Sequence, residues 1–534
     1  MRSVGILRFL FGSLCVLGVL LAGCARQTAS TSSVVRLSQR NEPADLDPAT
    51  ATLPDEFFII RALGEGLFVP DPAGGSPLPA AAERCDVSPD GLVHTFHLRP
   101  VAHWSNGDPV TADDFIASYR RLLSPATAAP KADLFYAVKN ARAFATGTIN
   151  DFSAVGFRAT DARTLVVTLA QPTARFLHYA ASGPWIPVHP RTVARHGRQW
   201  TQPTNHVGNG PFTLAEWRPQ QRIVVKKSPL YRDATHVTID ALEFLRFDSG
   251  DTEERAYRAG QVDVTMAVPF TKIETYQRER PAEIRRSPLA EIRYLTFNTQ
   301  RPPLDDPHLR QALGLAIDRQ TIVARVTRGG QEPAFRFLAP VLRSGALTAT
   351  LTAEFRFDPA EARRLLAAAG FAGGRNFPRL ELTSWSPSHT PVLEAIQAVW
   401  RQELGIEVAI SIHEAKVHQA ALRSGDYTVA FITTIPDVAD PAAVLENFST
   451  GAANNYPHLS SADYDRLLAT AATQRDESVR NRTLAAAENL LLESAVVAPL
   501  YFNTKNWLMA PGVRGWQEDA LWTRFYPGLS IAGR

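Results

Sequence analysis

At 534 residues the chain exceeds what one hydrophobic core can organise, and its length predicts about three domains. Its 45% hydrophobic and 20% charged content is that of an ordinary globular protein. A formal net charge of +3, which falls to +1 once Arg2 and Arg8 are removed with the leader described next, excludes an electrostatic footprint for nucleic acid.

The N-terminus carries Arg2 and Arg8, then an uncharged Leu- and Val-rich run from Phe9 to Gly23. This is the pattern of a secretory signal peptide, and the run is short for a bilayer span, which needs roughly 20 apolar residues. Its close, Leu21-Ala22-Gly23-Cys24, resembles a bacterial lipobox, in which the cysteine is acylated and becomes the new N-terminus. The plainer reading is an ordinary signal peptide or a short uncleaved anchor. The lipobox implies a mature protein that starts at Cys24, works outside the cytoplasm and is tethered to membrane through lipid. Residues 24–33 then read as a flexible Ser/Thr/Ala-rich tether. Of the three cysteines only Cys85 would remain, so no intramolecular disulfide is available and stability must come from burial. Glu83-Arg84-Cys85-Asp86 reads as a loop edge, with no base evident near the thiol.

Order is predicted to begin at Val34, where Val34 to Leu37 alternates like a strand. Strand character returns at Leu92 to Leu98 and at the β-branched run Thr164 to Leu169. Between them Thr111 and Asp114 open a helix over Ala112 to Leu123 in capping-box style. His94 and His97 fall on opposite faces of their strand, and with His103 read as surface or core residues rather than metal ligands. Two prolines exclude a central strand from Pro184 to Val188, which suits a crossover between domains. Gly208-Asn209-Gly210-Pro211 is a turn before strands at Phe212 to Trp217 and Arg222 to Lys226, and Asp248-Ser249-Gly250 reads as another turn. Asp306-Pro307 starts a helix with Leu309, Leu313, Ala316 and Ile317 on one face. Asp358-Pro359 caps a second helix, which stops at Gly370. Helices alternating with runs such as Val408 to Ile410 and Val429 to Ile435 predict an α/β fold with a parallel or mixed sheet.

A catalytic constellation does not emerge. Gly-x-Ser-x-Gly, Walker, His-Glu-x-x-His and Cys-x-x-Cys patterns are all missing from the sequence, and no cofactor or metal is expected. One binding site does suggest itself. Val429 to Ile435 reads as a strand buried on both faces, and it ends in Pro436-Asp437-Val438-Ala439-Asp440-Pro441. Ligands gather at the carboxyl ends of such strands, where an acid would pair with a ligand ammonium. Asp437 and Asp440 read equally well as turn formers beside prolines.

Several stretches in order carry a family resemblance. They are Asn41-Glu42-Pro43-Ala44-Asp45-Leu46-Asp47-Pro48, Gly64-Glu65-Gly66-Leu67, Phe96-His97-Leu98-Arg99-Pro100 and Trp104-Ser105-Asn106-Gly107-Asp108-Pro109-Val110-Thr111-Ala112-Asp113-Asp114-Phe115. Asn209-Gly210-Pro211-Phe212, Tyr257-Arg258-Ala259-Gly260-Gln261-Val262-Asp263 and the segment Asp306 to Ile322 follow. Together they resemble the extracellular solute-binding proteins of the peptide and nickel class (family 5), nearest the oligopeptide-binding proteins of ABC importers.

The resemblance implies a two-lobed periplasmic-binding-protein-like α/β fold (type II, cluster C) with an additional domain inserted in lobe I. By alignment lobe I takes 34–66, 189–291 and 501–534, the additional domain 67–188 and lobe II 292–500, with crossings near Glu291 and Leu500. It further implies a non-enzymatic monomer that captures oligopeptides in the interlobe cleft, at the membrane surface of the periplasm or cell envelope, for ABC permease subunits. In the family an aspartate holds the peptide ammonium, and Asp437 matches it. The backbone of Thr434 and Ile435 is then the peptide-pairing edge, Pro436 can offer only its carbonyl, and Pro54 and Asp55 face it from lobe I. Phe431 stands where short-peptide binders place an arginine, His389 lies near a position associated with the peptide carboxylate, and Ala415 replaces a pocket tryptophan. Murein peptides, nickel complexes or oligosaccharides are alternative solutes on the same fold, and a lipid-anchored secreted hydrolase is the alternative of another class.

Overall fold

The computed structural model describes residues 33–349 and 351–532, so the leader, Cys24 and the tether as far as residue 32 lie outside the described residues. Three sheets organise what is described. The first contains, in spatial order, strands Val34–Gln39, Ala241–Arg246, Arg222–Lys227 and Phe212–Arg218. Its first pair is parallel and the others are antiparallel. Val35, Leu37, Val225, Leu242 and Phe244 alternate inward from these strands onto the helix Pro54–Leu63 to make one core. The predicted turn before Phe212 joins that helix to the sheet. Asn209 Oδ1 accepts the Glu65 N–H at 3.0 Å, and its Nδ2 donates to the Glu65 carbonyl at 2.9 Å. A side chain at Gly210 would stand 2.4 Å from the Gly64 nitrogen, so only glycine fits this close approach.

The second sheet is antiparallel, in the order Ala82–Val87, Val93–Leu98, Thr164–Thr168 and Phe157–Asp161. It has its own core, drawn from Ala49 and residues between 67 and 185. The segment with two prolines is indeed no strand. It makes a 3₁₀ turn at Gly183–Trp185 and drives the fully buried Trp185 into this core, where the Phe135 ring stacks on it at 4.2 Å. Helix Ala112–Leu123 presents Phe115, Tyr119 and Leu122 to the same core, a spacing that keeps them on one face. Its capping box forms as predicted: the Asp114 N–H donates to Thr111 Oγ1 and the Thr111 N–H to Asp114 Oδ2. Asp114 also accepts the Trp104 indole N–H at 3.1 Å, which ties the motif into one unit.

The third sheet is mixed and six-stranded, in the order Glu332–Pro333, Val497–Leu508, Ile284–Phe297, Val429–Thr434, Leu380–Ser384 and Val408–Ile412. Helices Pro307–Leu315, Pro359–Ala368 and Thr390–Leu404 contribute to the core on one side of it. Leu309, Leu313, Ala316 and Ile317 are all buried, and the Asp306 and Asp358 caps are in place. Ser249 was read as part of a turn, but its hydroxyl caps the helix Gly250–Arg258 by accepting the Thr252 N–H at 3.2 Å.

Two long strands of the third sheet, Ile284–Phe297 and Val497–Leu508, pair antiparallel with a register break between Pro288 and Ile292. Their ends enter different cores. Val497 and Leu500 pack in the cores of the third sheet, whereas Trp507 packs against the first.

Buried charge is met within the third sheet's surroundings. Glu488 is fully buried and accepts from the Phe337 and Leu338 N–H groups at 2.9 and 2.8 Å and from both ends of the Arg336 guanidinium. Breaking a buried pair strands the other charge, at about 3–5 kcal/mol. Glu488→Ala is therefore expected to lower stability by about that amount, seen as a lower urea midpoint. A midpoint equal to that of the parent protein would show that Arg336 finds another partner.

Candidate ligand-binding cleft

The strand Val429–Thr434 positions the site. It pairs with Ile284–Phe297 along its whole length, from Phe297↔Val429 to Ile292↔Thr434. On its other side it pairs with Leu380–Ser384 only through Val429 and Ala430. From Phe431 onward that edge has no strand neighbour; Phe431 and Ile432 are buried, so the part within reach of another extended chain is the partly exposed end at Thr433 and Thr434. Beyond Thr434 the two acids separate in role. Asp440 is buried, caps the helix Pro441–Leu445, and pairs through both oxygens with Arg480 Nη2 at 2.8 and 2.9 Å. Asp437 is about half exposed, and its Oδ1 meets Lys131 Nζ. Its Oδ2 has no hydrogen-bond partner among the described residues.

Asp437 borders three cavities. The first, about 630 Å³, is lined by Thr433 to Val438 on one side and by Asp133, Tyr136 and Tyr179 on the other. A second, about 260 Å³, includes Pro54, Lys131, Ile435, Pro436 and Trp522. The third, about 680 Å³, reaches Arg61, Arg175 and Arg343. Residues of all three sheets' cores thus meet around one carboxylate. The walls also touch directly: Arg175 Nη2 pairs with Glu477 at 2.9 Å, and Arg475 Nη1 donates to the Pro89 carbonyl at 2.5 Å.

The 630 Å³ cavity is acidic. Asp133, Glu446 and Asp437 line it, with no lysine or arginine among its lining residues. Burial, then Asp437 beside it, raises the Asp133 carboxyl. Burial and the neighbouring Asp440 push Glu446 up to about 7. Such carboxyls ionise more readily when a cation arrives.

The remaining candidates scatter. Phe431 is fully buried and packs on His389 and Trp385, with ring centroids 4.8 and 6.0 Å away. His389 Nδ1 lies 2.8 Å from Ser384 Oγ, and burial with Arg293 nearby lowers it to about 4, so it is neutral at pH 7. Ala415 is exposed at the start of helix Ala415–Ser424. Thr434, Ile435 and Pro436 line the cleft, and so does Pro54. Asp55 is buried, accepting from the Asn41 backbone and amide at 3.1 and 2.9 Å. Lys131, Asp133 and Glu446 escaped the sequence reading, since none sits in a periodic pattern or a spacing that marks a site.

Cys85 has a base near it after all. The neighbouring strand brings His94 Nδ1 to 3.8 Å from the sulfur. Burial pushes the thiol up to about 12 and the imidazole down to about 4, so the proton stays on sulfur and the pair is not an activated nucleophile.

Comparison with known proteins extends over almost the whole chain. Residues 76–456 match the family model of bacterial extracellular solute-binding proteins, family 5 middle. The chain is 32% identical over 498 residues to the probable deoxycholate-binding periplasmic protein YgiS of Escherichia coli, covering 92% of each. It is 31% identical over 514 residues to the periplasmic oligopeptide-binding protein OppA of Salmonella typhimurium, covering 94% of each. Among solved structures, the murein tripeptide binding protein MppA of Escherichia coli superposes with a TM-score of 0.81 at 29% identity, covering 95% of this chain and 99% of that one. An α/β chain built on these sheets and opening on one cleft, with a match this long, belongs to family 5 of the bacterial extracellular solute-binding proteins.

Proposed function

We propose that the protein is the peptide receptor of an ABC importer, lipid-anchored through Cys24 outside the cytoplasm. The observation that carries this reading is the partly exposed strand end at Thr433 and Thr434, beyond the last paired residue Ala430, which runs into Asp437 beside a cavity of about 630 Å³. An extended peptide adds itself to that edge near Thr433, Thr434 and Ile435, so its main chain supplies affinity whatever its side chains. Its α-ammonium then reaches the open Oδ2 of Asp437. Relatives named for oligopeptides and for a murein peptide support a peptide as the ligand. Lobe I takes residues 34–66, 189–291 and 501–534, the additional domain 67–188 and lobe II 292–500. The hinge lies in the two long strands around Glu291 and Leu500, where closure buries the ligand for delivery to the permease.

Mass spectrometry of ligands that co-purify with the protein tests the class of solute. Peptides are the expected find, and sugars, metal complexes or bile acids alone would overturn the reading. A charge-assisted bond to an ammonium contributes about 1.5–3 kcal/mol. Asp437→Ala and N-acetylation of a test peptide should therefore each weaken binding about tenfold or more, as measured by calorimetric titration. Equal affinity for acetylated and free peptides would remove Asp437 from this role.

Lys131 acts against the same anchor, because it presents an ammonium of this chain to Asp437. Lys131→Met should tighten free-amine peptides about two- to fivefold, the range of a partly exposed ion pair, and leave acetylated peptides unchanged. In the Asp437→Ala background the lysine substitution should have no effect on binding. An equal gain there would mean that Lys131 acts by another route.

A further inference from the structure

The cavity of about 680 Å³ holds hydrogen-bond donors that its own walls do not satisfy. Four acids line it, and each already accepts from a partner through at least one oxygen. Asp437 meets Lys131, and Glu477 takes Arg175 at 2.9 Å. Asp519 accepts the Leu521 and Thr523 N–H groups at 2.9 and 2.8 Å. Asp71 accepts those of Ala73 and Gly75 at 3.0 and 3.2 Å.

The donors facing the same space differ. Arg61 makes one long hydrogen bond, from Nη2 to the Ala181 carbonyl at 3.5 Å, and forms no ion pair among the described residues. Burial lowers its guanidinium to about 10, with Asp519 only partly offsetting this. Arg343 has its Nε buried without a partner, and its guanidinium lies 5.9 Å from the centre of the Phe502 ring; Glu488, Glu332 and Glu354 attract it without forming an ion pair. The hydroxyl of Ser182, a residue 6% exposed, is buried with no partner, as is His178 Nδ1. Arg61 and Arg343 are partly buried, and a buried donor left without a partner, as at Arg343 Nε and Ser182 Oγ, is costly and rare in native structures. Two guanidiniums and a hydroxyl with free donors on one cavity have the chemistry of a carboxylate receptor, since a guanidinium offers parallel N–H groups to both carboxylate oxygens.

We infer that this cavity is an anion subsite of the cleft, in which Arg61, Arg343 and Ser182 receive a carboxylate of the ligand. The inference rests on reading the cleft as a peptide site. The carboxylate comes either from the peptide C-terminus or from an acidic side chain, and Asp437 stands between this cavity and the acidic one. A ligand carrying both charges is thereby oriented: its ammonium goes toward the acidic cavity and its carboxylate toward the arginines.

The test uses the mature protein and one peptide made in four forms, with Glu or Gln as first residue and a C-terminal acid or amide. Calorimetric titration is expected to show that one of the two acid-to-amide changes weakens binding about tenfold or more, which identifies the source of the carboxylate. Arg61→Met and Arg343→Met, each first matched to the parent in thermal unfolding, should bring that ratio close to one. The amide form should keep its affinity within about twofold. If one variant does not fold, the other carries the test. Equal binding of all four peptides to the parent overturns the subsite, and so does a ratio that survives both substitutions. Should N-acetylation and Asp437→Ala prove harmless while the ratio still depends on Arg61, the ammonium anchor falls and the anion subsite stands.

Discussion

Two antiparallel strands, Ile284–Phe297 and Val497–Leu508, are the constraint on which the rest of this molecule depends. Their ladder is interrupted between Pro288 and Ile292, and the two ends of the pair pack in different cores. A strand cannot slip by one residue without turning its inward side chains outward, so both cores fix the register from opposite ends. The break between Pro288 and Ile292 is where the pairing relaxes. The residues in the break, Leu289, Ala290 and Glu291, are buried, and the Ala290 N–H donates to the Ala520 carbonyl at 2.9 Å. The cores themselves are held by dense burial such as the Trp185–Phe135 stack and by satisfied charges such as Arg336–Glu488.

Within the cleft, the arginines gather on one side of Asp437. The strand Val429–Thr434 contributes its partly exposed end at Thr433 and Thr434. The acids around Tyr136 and Tyr179 lie to one side of Asp437, and the arginines around Ser182 lie to the other. The structural acid Asp440 sits three residues from Asp437, and Arg480 neutralises it. This local pairing leaves Asp437 as the acid of that turn with an oxygen to spare.

Much of the fold was legible in the sequence because its signals are local. The Thr111–Asp114 capping box and the Asp358-Pro359 start act within one helical turn, and both appear where the spacing put them. The strand exit before Asp437 was legible for a similar reason, since a long buried run ending in proline marks it; that Asp440 rather than Asp437 is the acid tied to Arg480 was not. Ser249 was not, because a short polar run reads equally as a turn or as a helix cap. Trp185 shows another limit: the prolines exclude a strand, but nothing local says that the ring fills a core. Lys131 is the clearest failure. Its partner is 306 residues away, and the sequence around it has neither period nor motif. The burial of Phe431 and His389 likewise depends on Trp385 and on the folded sheet, not on their neighbours in the chain.

The contact between Lys131 and Asp437 has a kinetic and a quantitative side. Because Lys131 is tethered to the same chain, its effective concentration at the carboxylate is set by geometry and lies at about the millimolar level or above. Free amines and ammonium ions present below that level do not displace it. A larger cation does so only where contacts beyond its charge add to its affinity. The ion pair thus sets a background at this carboxylate that any competing ammonium has to overcome.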